Sequence, residues 1–367
     1  MDRRTFILRA GGGVLGFSLF GLAGCEFNSV DPITGGRVVS FLTPIDSFFY
    51  KNGAETSISD WALPIIERDA WRLRIDGLVG TPMEISYADI EAKSADAIEL
   101  LKTMRCVIDS NEVQGLIGTA VWRGVPLRLF LDQAGIDRSS AVRLRLYGAD
   151  TFGNNITVDR VYGNGNPELV EPLLVTHMNG EPLTAEHGAP VRLIVHESFG
   201  YKNVKWITRV EATASDEPFG TYQDAGFVDD GVMRVISRAT NPLQNASVPA
   251  GRVRIEGFAV SGAGGITNVD IALDGGAYQP ATLQTEQELK DSEPLLADVI
   301  QLSDPGRFPF PLHAVWRLWS FEFDAAAGNH MLRIRATDES GEHQPEQDLG
   351  GLADGVNAVG TLTIKVV

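Results

Sequence analysis

The sequence predicts an α+β protein, in which a mixed α/β domain is followed by an all-β sandwich domain of immunoglobulin-like type. Between about Phe48 and Ala214, short strand-like stretches alternate with helical ones. From about Asn241 onward, alternating apolar and polar runs are separated by Asp-Gly, Gly-Gly and Gly-Asn turn signals, as in a sandwich of antiparallel strands. The 39 glycines and 18 prolines among 367 residues suit this strand-rich architecture better than a helical bundle.

The individual elements follow from local patterns. "AWRLRIDGLVG" alternates as a strand that enters a turn, and "SYADIEAKSADAIELLKTM" has the apolar period of a helix. "VPLRLFLDQAGI" predicts a short helix that ends at Gly135, and "RLRLYGAD" and "PVRLIVHESF" predict strands. In the C-terminal part, "GRVRIEGFAVSG", "ITNVDIALDGGAYQPATL", "RLWSFEFDAAAGNHMLRIRATDESG" and "GTLTIKVV" predict the strands of the sandwich.

The composition allows two domains with cores of their own and restricts the partners. Hydrophobic residues make up 44% of the chain, which suffices for one large domain or two ordinary ones. The formal net charge is −17, and an acidic surface disfavours nucleic acid, whose phosphates require lysine and arginine. It also disfavours adsorption to anionic lipid. We therefore predict no nucleic-acid partner, and membrane contact only through a lipid anchor.

Residues 1–25 form a predicted export signal. Arg3 and Arg4 are a twin-arginine pair followed by a glycine-diluted apolar run that is too short for a stable membrane span. This pattern resembles the twin-arginine signal of proteins exported in the folded state; an ordinary Sec signal is the alternative. Leu22-Ala23-Gly24-Cys25 resembles a bacterial lipobox, and the alternative is a chance cysteine near a cleavage site. We expect a periplasmic protein, or one on the outer face of the cell membrane, lipid-anchored at Cys25.

Behind the signal, three segments are predicted. Residues 26–45 are polar, spaced by glycine and proline, and form a tether. Residues 46–238 form the mixed α/β domain, and residues 239–367 form the β-sandwich.

Cys106 is the second of only two cysteines. Because the first would carry lipid, no intramolecular disulfide is expected. A lone buried cysteine is most often a small hydrophobic residue, but the neighbouring Arg105 favours a thiolate that acts as nucleophile or soft-metal ligand. The sequence contains no histidine at a protease-like spacing, no further thiol and no HExxH motif. A single thiolate therefore suffices for a metal site only where a cofactor supplies the other donors.

The chain resembles the sulfite oxidase family of molybdopterin-dependent oxidoreductases. The resemblance rests on "WRLRIDGLVG", on the Cys106 segment that ends in "GTAVWRGVPL", and on "MNGEPLTAEHGAPVRLIVHESFGYKNVKWITRVE". The last segment is the most specific, because its residues stand in the order and spacing of the family pattern: His187, Gly188, Pro190, Arg192, Gly200, Val204, Lys205 and Trp206. The segment from Asn241 resembles the family's dimerisation domain. The resemblance therefore implies a homodimer.

The resemblance also implies a molybdenum–molybdopterin cofactor and a role for each matched residue. Cys106 aligns with the cysteine that binds molybdenum, whose other donors are the pterin dithiolene sulfurs and oxo groups. The remaining matches are implied to hold the pterin and its phosphate or to border the metal: Tyr50, Lys51, Asn52, Asp150, His187, Arg192 and a strand formed by Asn203, Val204 and Lys205. Lys51 is the second catalytic candidate beside Cys106. Taken singly, Arg192 and Lys205 are equally consistent with surface charges, and His187 with a turn residue.

Family members that oxidise sulfite place arginines around the metal, and this chain departs from that pattern. The positions after Cys106 contain two acids, Asp109 and Glu112, and no base. Lys51 replaces an arginine, Phe152 stands where the family has a tyrosine, and "LADGVNAVG" contains no arginine. We therefore predict that a sulfite dianion is handled poorly.

Two classes of function remain. The first is an exported molybdoenzyme that transfers an oxygen atom or two electrons with an uncharged or cationic substrate, as in sulfoxide reduction. Since the chain has no haem-attachment motif, it would exchange electrons with a separate carrier such as a cytochrome or a quinone-linked protein. The second is a catalytically silent cofactor-binding or scaffold protein that retains the fold. Cys106 and the export signal favour the enzyme.

Overall fold

The computed structural model describes residues 29–30, 37–38, 40–51, 63–110, 114–163, 170–293, 296, 310–348 and 350–367. The predicted signal, the lipidation candidate Cys25 and most of the tether lie outside these residues, as do Asn52 and Glu112. Within the described part of the chain, none of the helices has the length and apolar character needed to span a membrane.

The described chain is rich in strands, and its helices are short. The strands up to residue 231 are β1 (Ser29–Val30), β2 (Arg37–Val38), β3 (Arg72–Gly77), β4 (Met83–Ser86), β5 (Ile98–Arg105), β6 (Ile117–Pro126), β7 (Arg143–Gly148), β8 (Gly153–Thr157), β9 (Leu173–Met178), β10 (Glu181–Pro182), β11 (Arg192–Ile194) and β12 (Ile207–Thr213). The helices in this part are α1 (Tyr87–Glu91), α2 (Arg128–Ala134), α3 (Val158–Val161) and α4 (Thr221–Asp224). Single 3₁₀ turns cover Ile45–Ser47, Ser94–Asp96 and Gly200–Lys202.

The C-terminal part consists almost entirely of strands. These are β13 (Ile236–Asn241), β14 (Ser247–Val248), β15 (Gly251–Val260), β16 (Ile266–Leu273), β17 (Tyr278–Pro280), β18 (Thr282–Leu283), β19 (Arg317–Ala325), β20 (Gly328–Asp338) and β21 (Gly360–Val366). The helix α5 (Glu286–Ser292) and a 3₁₀ turn at Leu352–Asp354 complete the described elements.

Two compact units divide the chain, and they do not follow the sequence in one pass. The first unit contains Phe49–Leu101 and Ala120–Gly231. The second unit contains Gly24–Phe48, Lys102–Thr119 and Val232–Val367. The chain therefore leaves the first unit within β5 and returns to it within β6.

The first unit contains a five-stranded mixed sheet of order β4-β3-β12-β7-β8. In it β3 and β12 are parallel, whereas the other neighbours are antiparallel. Its core includes Leu73 and Ile75 of β3, Leu146 of β7 and Val210 of β12. Their burial removes apolar surface from water, worth about 1.5–3 kcal/mol for each large side chain. A second sheet has the order β10-β9-β6-β5, and β11 pairs with β9.

The second unit contains the sandwich. One sheet has the order β13-β15-β19-β18 and the other β14-β21-β20-β16-β17. The core between them includes Ile255 and Phe321 from the first sheet and Ile271 and Ile334 from the second. The predicted fold class, a mixed α/β domain followed by an all-β sandwich, is confirmed.

Gly135 ends α2 as predicted. Its φ of 67° and ψ of 55° lie in the left-handed region, and its backbone N–H bonds back to Leu131 and Asp132. Glycine adopts this conformation without the steric penalty that a Cβ brings.

The long helix predicted over "SYADIEAKSADAIELLKTM" is wrong in its second half. Only Tyr87–Glu91 is α-helical, behind a Ser86–Asp89 capping box, whereas Ile98–Arg105 is strand β5. Every residue from Leu100 to Arg105 is buried. A strand covered on both faces has no apolar–polar alternation, so its sequence fits a helical period equally well. Cys106 consequently follows a strand and not a helix.

Candidate active site

In the first unit, four of the predicted residues converge on the turn that carries His187. The backbone N–H groups of His187 and Ala189 both donate to the carbonyl of Thr184 and close this turn. Lys205 Nζ donates to the carbonyl of Glu186 at 2.9 Å, and Arg192 Nη1 donates to the carbonyl of His187 at 3.0 Å. The Tyr50 ring packs edge-on against the His187 ring, with 6.4 Å between centroids. The turn therefore gathers an imidazole, a phenol, a guanidinium and an ammonium.

Two glycines allow this close packing. A Cβ at Gly188 would lie 3.0 Å from Lys205 Cβ and 3.2 Å from Arg192 Cβ, and its φ of 103° disfavours any other residue. A Cβ at Gly148 would lie 2.5 Å from Asp150 Oδ1 and 2.8 Å from the carbonyl of Lys205. The glycines thus bring the backbone next to the cations on one side and next to Asp150 on the other.

The two cations of this cluster are held under electrostatic strain. Burial lowers the pKa of Arg192 to about 9. Burial, together with repulsion from Arg192, lowers the pKa of Lys205 well below its usual range. The aromatic faces of Trp122 and Trp206 partly offset this cost, with Arg192 Cζ 5.0 Å from one ring centroid and Lys205 Nζ 4.4 Å from the other. A bound phosphate would stabilise both charges.

Asp150, on the other side of the cluster, has a pKa that burial raises, with Lys205 acting in the opposite direction. Its Oδ1 accepts from the backbone N–H of Phe152 at 3.2 Å. A raised pKa makes this carboxyl group easier to protonate, and a protonated carboxyl group can both donate and accept a hydrogen bond, as the edge of a pterin ring requires.

Asn203 and Val204 are part of the scaffold. The Asn203 side chain accepts from the N–H of Val195 and donates to the carbonyl of Phe199, both at 2.8 Å, and Val204 is a fully buried core residue. The predicted strand at Asn203–Lys205 is wrong, because residues 203–206 have no regular secondary structure and β12 begins at Ile207. The side chain of Asn203 therefore holds this loop next to the segment that follows β11.

The cluster fits a pterin cofactor with a phosphate. Besides the paired cations and the glycine-lined backbone, Trp206 is fully buried, and its Nε1 has no hydrogen-bond partner within the described part of the chain. Its φ of 47° is unusual for a residue with a large side chain. A buried donor left unsatisfied costs about 1–3 kcal/mol, and strained backbone tends to mark functional sites. An acceptor on a bound ligand would satisfy this donor.

Cys106 lies in the second unit, at the end of β5. Its backbone N–H donates to the carbonyl of Leu116, and its carbonyl accepts from the N–H of Asp109, both at 2.9 Å. The residue is 6% exposed. No group of three or more histidine, cysteine, aspartate or glutamate side chains that could hold a metal ion occurs among the described residues. A single thiolate can serve as one ligand of a metal whose other donors belong to a cofactor.

Asp109 does not present an unpaired charge beside Cys106, contrary to the repulsion that its position in the sequence suggested. It is fully buried, and its Oδ2 accepts from Arg238 Nη2 at 2.8 Å and lies 3.5 Å from Arg105 Nε. Asp109 and Arg238 are 129 positions apart, so no local sequence pattern predicts this pairing.

Comparisons with known proteins agree with this geometry. A family model described as "Oxidoreductase molybdopterin binding domain" matches residues 60–221, and one described as "Mo-co oxidoreductase dimerisation domain" matches residues 231–359. The fold and the site thus define a molybdopterin-binding oxidoreductase with an appended dimerisation domain. Its cofactor is molybdenum–molybdopterin.

Individual relatives indicate the family within this class of oxidoreductases. The sulfite oxidase of Gallus gallus is 28% identical over 83% of this chain and 68% of its own length. Nitrate reductase [NADH] 1 of Oryza sativa subsp. japonica is 25% identical over 86% of this chain but only 37% of its own length. The chain belongs to the sulfite oxidase family of molybdopterin-dependent oxidoreductases. The solved structure of the sulfane dehydrogenase SoxCD from Paracoccus pantotrophus has the same fold, with a TM-score of 0.70 and 22% identity over 93% of this chain and 87% of that one.

Proposed function

We propose that the protein performs oxygen-atom or two-electron transfer at a molybdenum ion bound by Cys106. The observation that carries this proposal is the cluster of His187, Arg192 and Lys205, in which burial lowers the pKa of both cationic side chains and Arg192 adds to the effect on Lys205, so that a bound phosphate would stabilise both charges. Arg192 and Lys205 would hold the pterin phosphate, and His187, Asp150 and Tyr50 would border the ring system. The cofactor, when bound, supplies the redox chemistry. The protein supplies the thiolate, orientation and shielding from water.

Arg105 supports the assignment of Cys106 as ligand. It is fully buried next to the thiol, and burial lowers its pKa only to about 10, so it stays charged at neutral pH. A neighbouring cation favours the thiolate form that a metal requires.

The test is elemental analysis of the wild type and of Cys106→Ser. We expect about one molybdenum per chain in the wild type and a loss of turnover in the variant, with an unchanged thermal unfolding midpoint. Cys106→Ala is the matched control for a serine that ligates weakly. An active wild type that contains neither molybdenum nor tungsten would contradict the proposal.

We further propose that the substrate is neutral or cationic, and not sulfite. Arg105 and Arg238, in the same unit as Cys106, already have Asp109 as counter-ion, so one of their two positive charges is compensated. Lys51 remains as a candidate partner, but an ammonium does not reproduce the fork of an arginine. Losing two charge-assisted contacts, at about 1.5–3 kcal/mol each, would weaken anion handling by at least a hundredfold.

Steady-state turnover of sulfite and of neutral sulfoxides, measured with the same artificial electron carrier, tests the substrate. We expect turnover of a sulfoxide and weak turnover of sulfite. Efficient sulfite oxidation with a micromolar Michaelis constant would refute this part of the proposal.

Three properties of the whole protein complete the proposal. The motifs at Arg3-Arg4 and at Cys25 support export in the folded state followed by lipid anchoring on the outer side of the cell membrane, where the chain would exchange electrons with a separate carrier. Export in the folded state would allow the cofactor to be installed in the cytoplasm before export. The dimerisation domain supports a homodimer, and closed dimers of this kind are usually two-fold symmetric.

A further inference from the structure

Next to Cys106, three buried charges form one cluster, which we call the Asp109 triad: Arg105, Asp109 and Arg238. All three residues belong to the second unit. Arg238 approaches the carboxylate with both terminal nitrogens, Nη2 to Oδ2 at 2.8 Å and Nη1 to Oδ1 at 3.3 Å. Arg105 Nε lies 3.5 Å from the same Oδ2. One carboxylate oxygen is therefore shared by two guanidinium groups.

The remaining contacts of the triad fix this arrangement. Arg105 Nη2 donates to the carbonyls of Asp109 and Val356 at 2.7 and 2.6 Å. Asp109 Oδ1 accepts from the backbone N–H of Leu116 at 3.2 Å, and the carbonyl of Leu116 accepts from the N–H of Cys106. The carboxylate thus both compensates the arginines and closes the turn on which Cys106 stands.

We propose that Asp109 is an internal anion that occupies an oxyanion site formed by Arg105 and Arg238, and that it thereby sets the charge of the substrate accepted beside Cys106. The role of Asp109 in setting the charge of the substrate rests on the proposed function. Two converging guanidiniums are a typical site for a tetrahedral oxyanion. Here a carboxylate tethered to the chain takes that place, and its effective concentration is far above that of any dissolved anion.

The charge balance of the triad predicts the effect of removing Asp109. The triad carries one net positive charge, whereas the two arginines without Asp109 would carry two in a buried environment. Removing the carboxylate leaves two desolvated cations next to one another, which is unfavourable unless an anion enters. Asp109→Ala should therefore bind a small oxyanion that the wild type excludes.

The experiment uses full-length protein and inorganic sulfate as the probe. Thermal unfolding of the wild type and of Asp109→Ala is followed from 0 to 10 mM sulfate, against chloride at equal ionic strength. Sulfate stabilises proteins in general, so the result is the difference between the two proteins. At about a hundredfold excess over its Kd, sulfate should raise the Tm of Asp109→Ala by about 5 °C more than that of the wild type, in a saturable manner. Arg238→Met added to Asp109→Ala should abolish this difference.

The variant Asp109→Asn and the rescue of Asp109→Ala folding by sulfate distinguish the remaining outcomes. Asp109→Asn keeps the side-chain shape and the acceptor for Leu116 but leaves no room for sulfate, so it should fold with a smaller sulfate response than Asp109→Ala. If Asp109→Ala folds only in sulfate, that rescue supports the proposal. A folded Asp109→Ala with the sulfate response of the wild type, or an unfolded one that sulfate does not rescue, overturns it.

Molybdenum content and anion inhibition are measured on the same samples. We expect sulfate to become a competitive inhibitor of Asp109→Ala, raising KM with little change in kcat. If the wild type contains no molybdenum but sulfate still stabilises Asp109→Ala selectively, the proposed function fails and the masked oxyanion site stands. If molybdenum is present and the sulfate response is absent, the masked oxyanion site fails and the proposed function stands.

Discussion

Replacing Arg192 by methionine should weaken cofactor retention while leaving the cofactor-free protein as stable as the wild type. Burial lowers the pKa of Arg192 from 12.5 to about 9, which corresponds to about 5 kcal/mol of cost for holding this charge in the interior. The variant loses the hydrogen bonds to the carbonyls of His187 and Asn203, which contribute about 1–3 kcal/mol together. It also relieves the repulsion of Lys205. In the cofactor-free state the gain is at least as large as the loss, so the variant should be no less stable than the wild type.

With cofactor the balance reverses. Two charge-assisted hydrogen bonds to a phosphate, at about 1.5–3 kcal/mol each, correspond to an affinity loss of about 10²–10⁴-fold. The assay is molybdenum per chain after gel filtration, together with thermal unfolding of protein produced in cells unable to make the cofactor.

Arg160→Met is the matched control within the same unit. Arg160 forms an ion pair with the buried carboxylate of Glu197 and also donates to the carbonyl of Val170. Removing it strands a buried charge, at a cost of about 3–5 kcal/mol. Cofactor-free Arg160→Met should therefore unfold well below the wild type, unlike Arg192→Met. Equal destabilisation of the two variants would show that Arg192 is a structural arginine, and full molybdenum retention by Arg192→Met would refute its role at the phosphate.

The remaining predictions concern acid stability, export and assembly. Arg160 holds the pKa of Glu197 below its ordinary 4.5, although burial acts in the opposite direction. This pair therefore stabilises the fold above pH 4.5, and the stabilisation is lost as the pH falls through the lowered pKa. Glu197→Gln should flatten that part of a Tm-against-pH curve. Changing Arg3 and Arg4 to lysine should leave precursor inside the cell, whereas continued export by the Sec route would contradict the predicted signal. Light scattering on a chain that starts at residue 26 should give a dimer at micromolar concentration, and a clean monomer would count against pairing through the C-terminal domain.

Local sequence patterns predicted those features that depend on neighbouring residues. Gly135 after an amphipathic run specified a left-handed helix end, and the alternating C-terminal strands specified the sandwich. The resemblance to the sulfite oxidase family singled out His187, Arg192 and Lys205, which the structure places on one turn and on the strand and loop that come after it. Strand β5 was missed, since burial on both faces removes the alternation that distinguishes a strand from a helix.

The Asp109 triad was missed for a different reason. An unpaired acid near a metal ligand repels anions, whereas an acid paired with a cation compensates that cation's charge. Here the cation is Arg238, 129 positions away in the sequence. Charge counted along a loop therefore cannot give the charge of the site that the loop forms. Only the fold decides which acids are compensated.

The two cation clusters solve one electrostatic problem in opposite ways. At Arg192 and Lys205, burial lowers both pKa values, and repulsion from Arg192 lowers that of Lys205 further, so an anionic ligand would stabilise both charges. At Arg105 and Arg238, the chain itself provides the anion through Asp109, so no external anion is required. A protein with a net charge of −17 already repels dissolved anions at its surface. The buried clusters and the net charge of the protein therefore both favour binding of a cofactor phosphate over binding of small oxyanions. Only a ligand with additional contacts to the turn at His187 can overcome the repulsion.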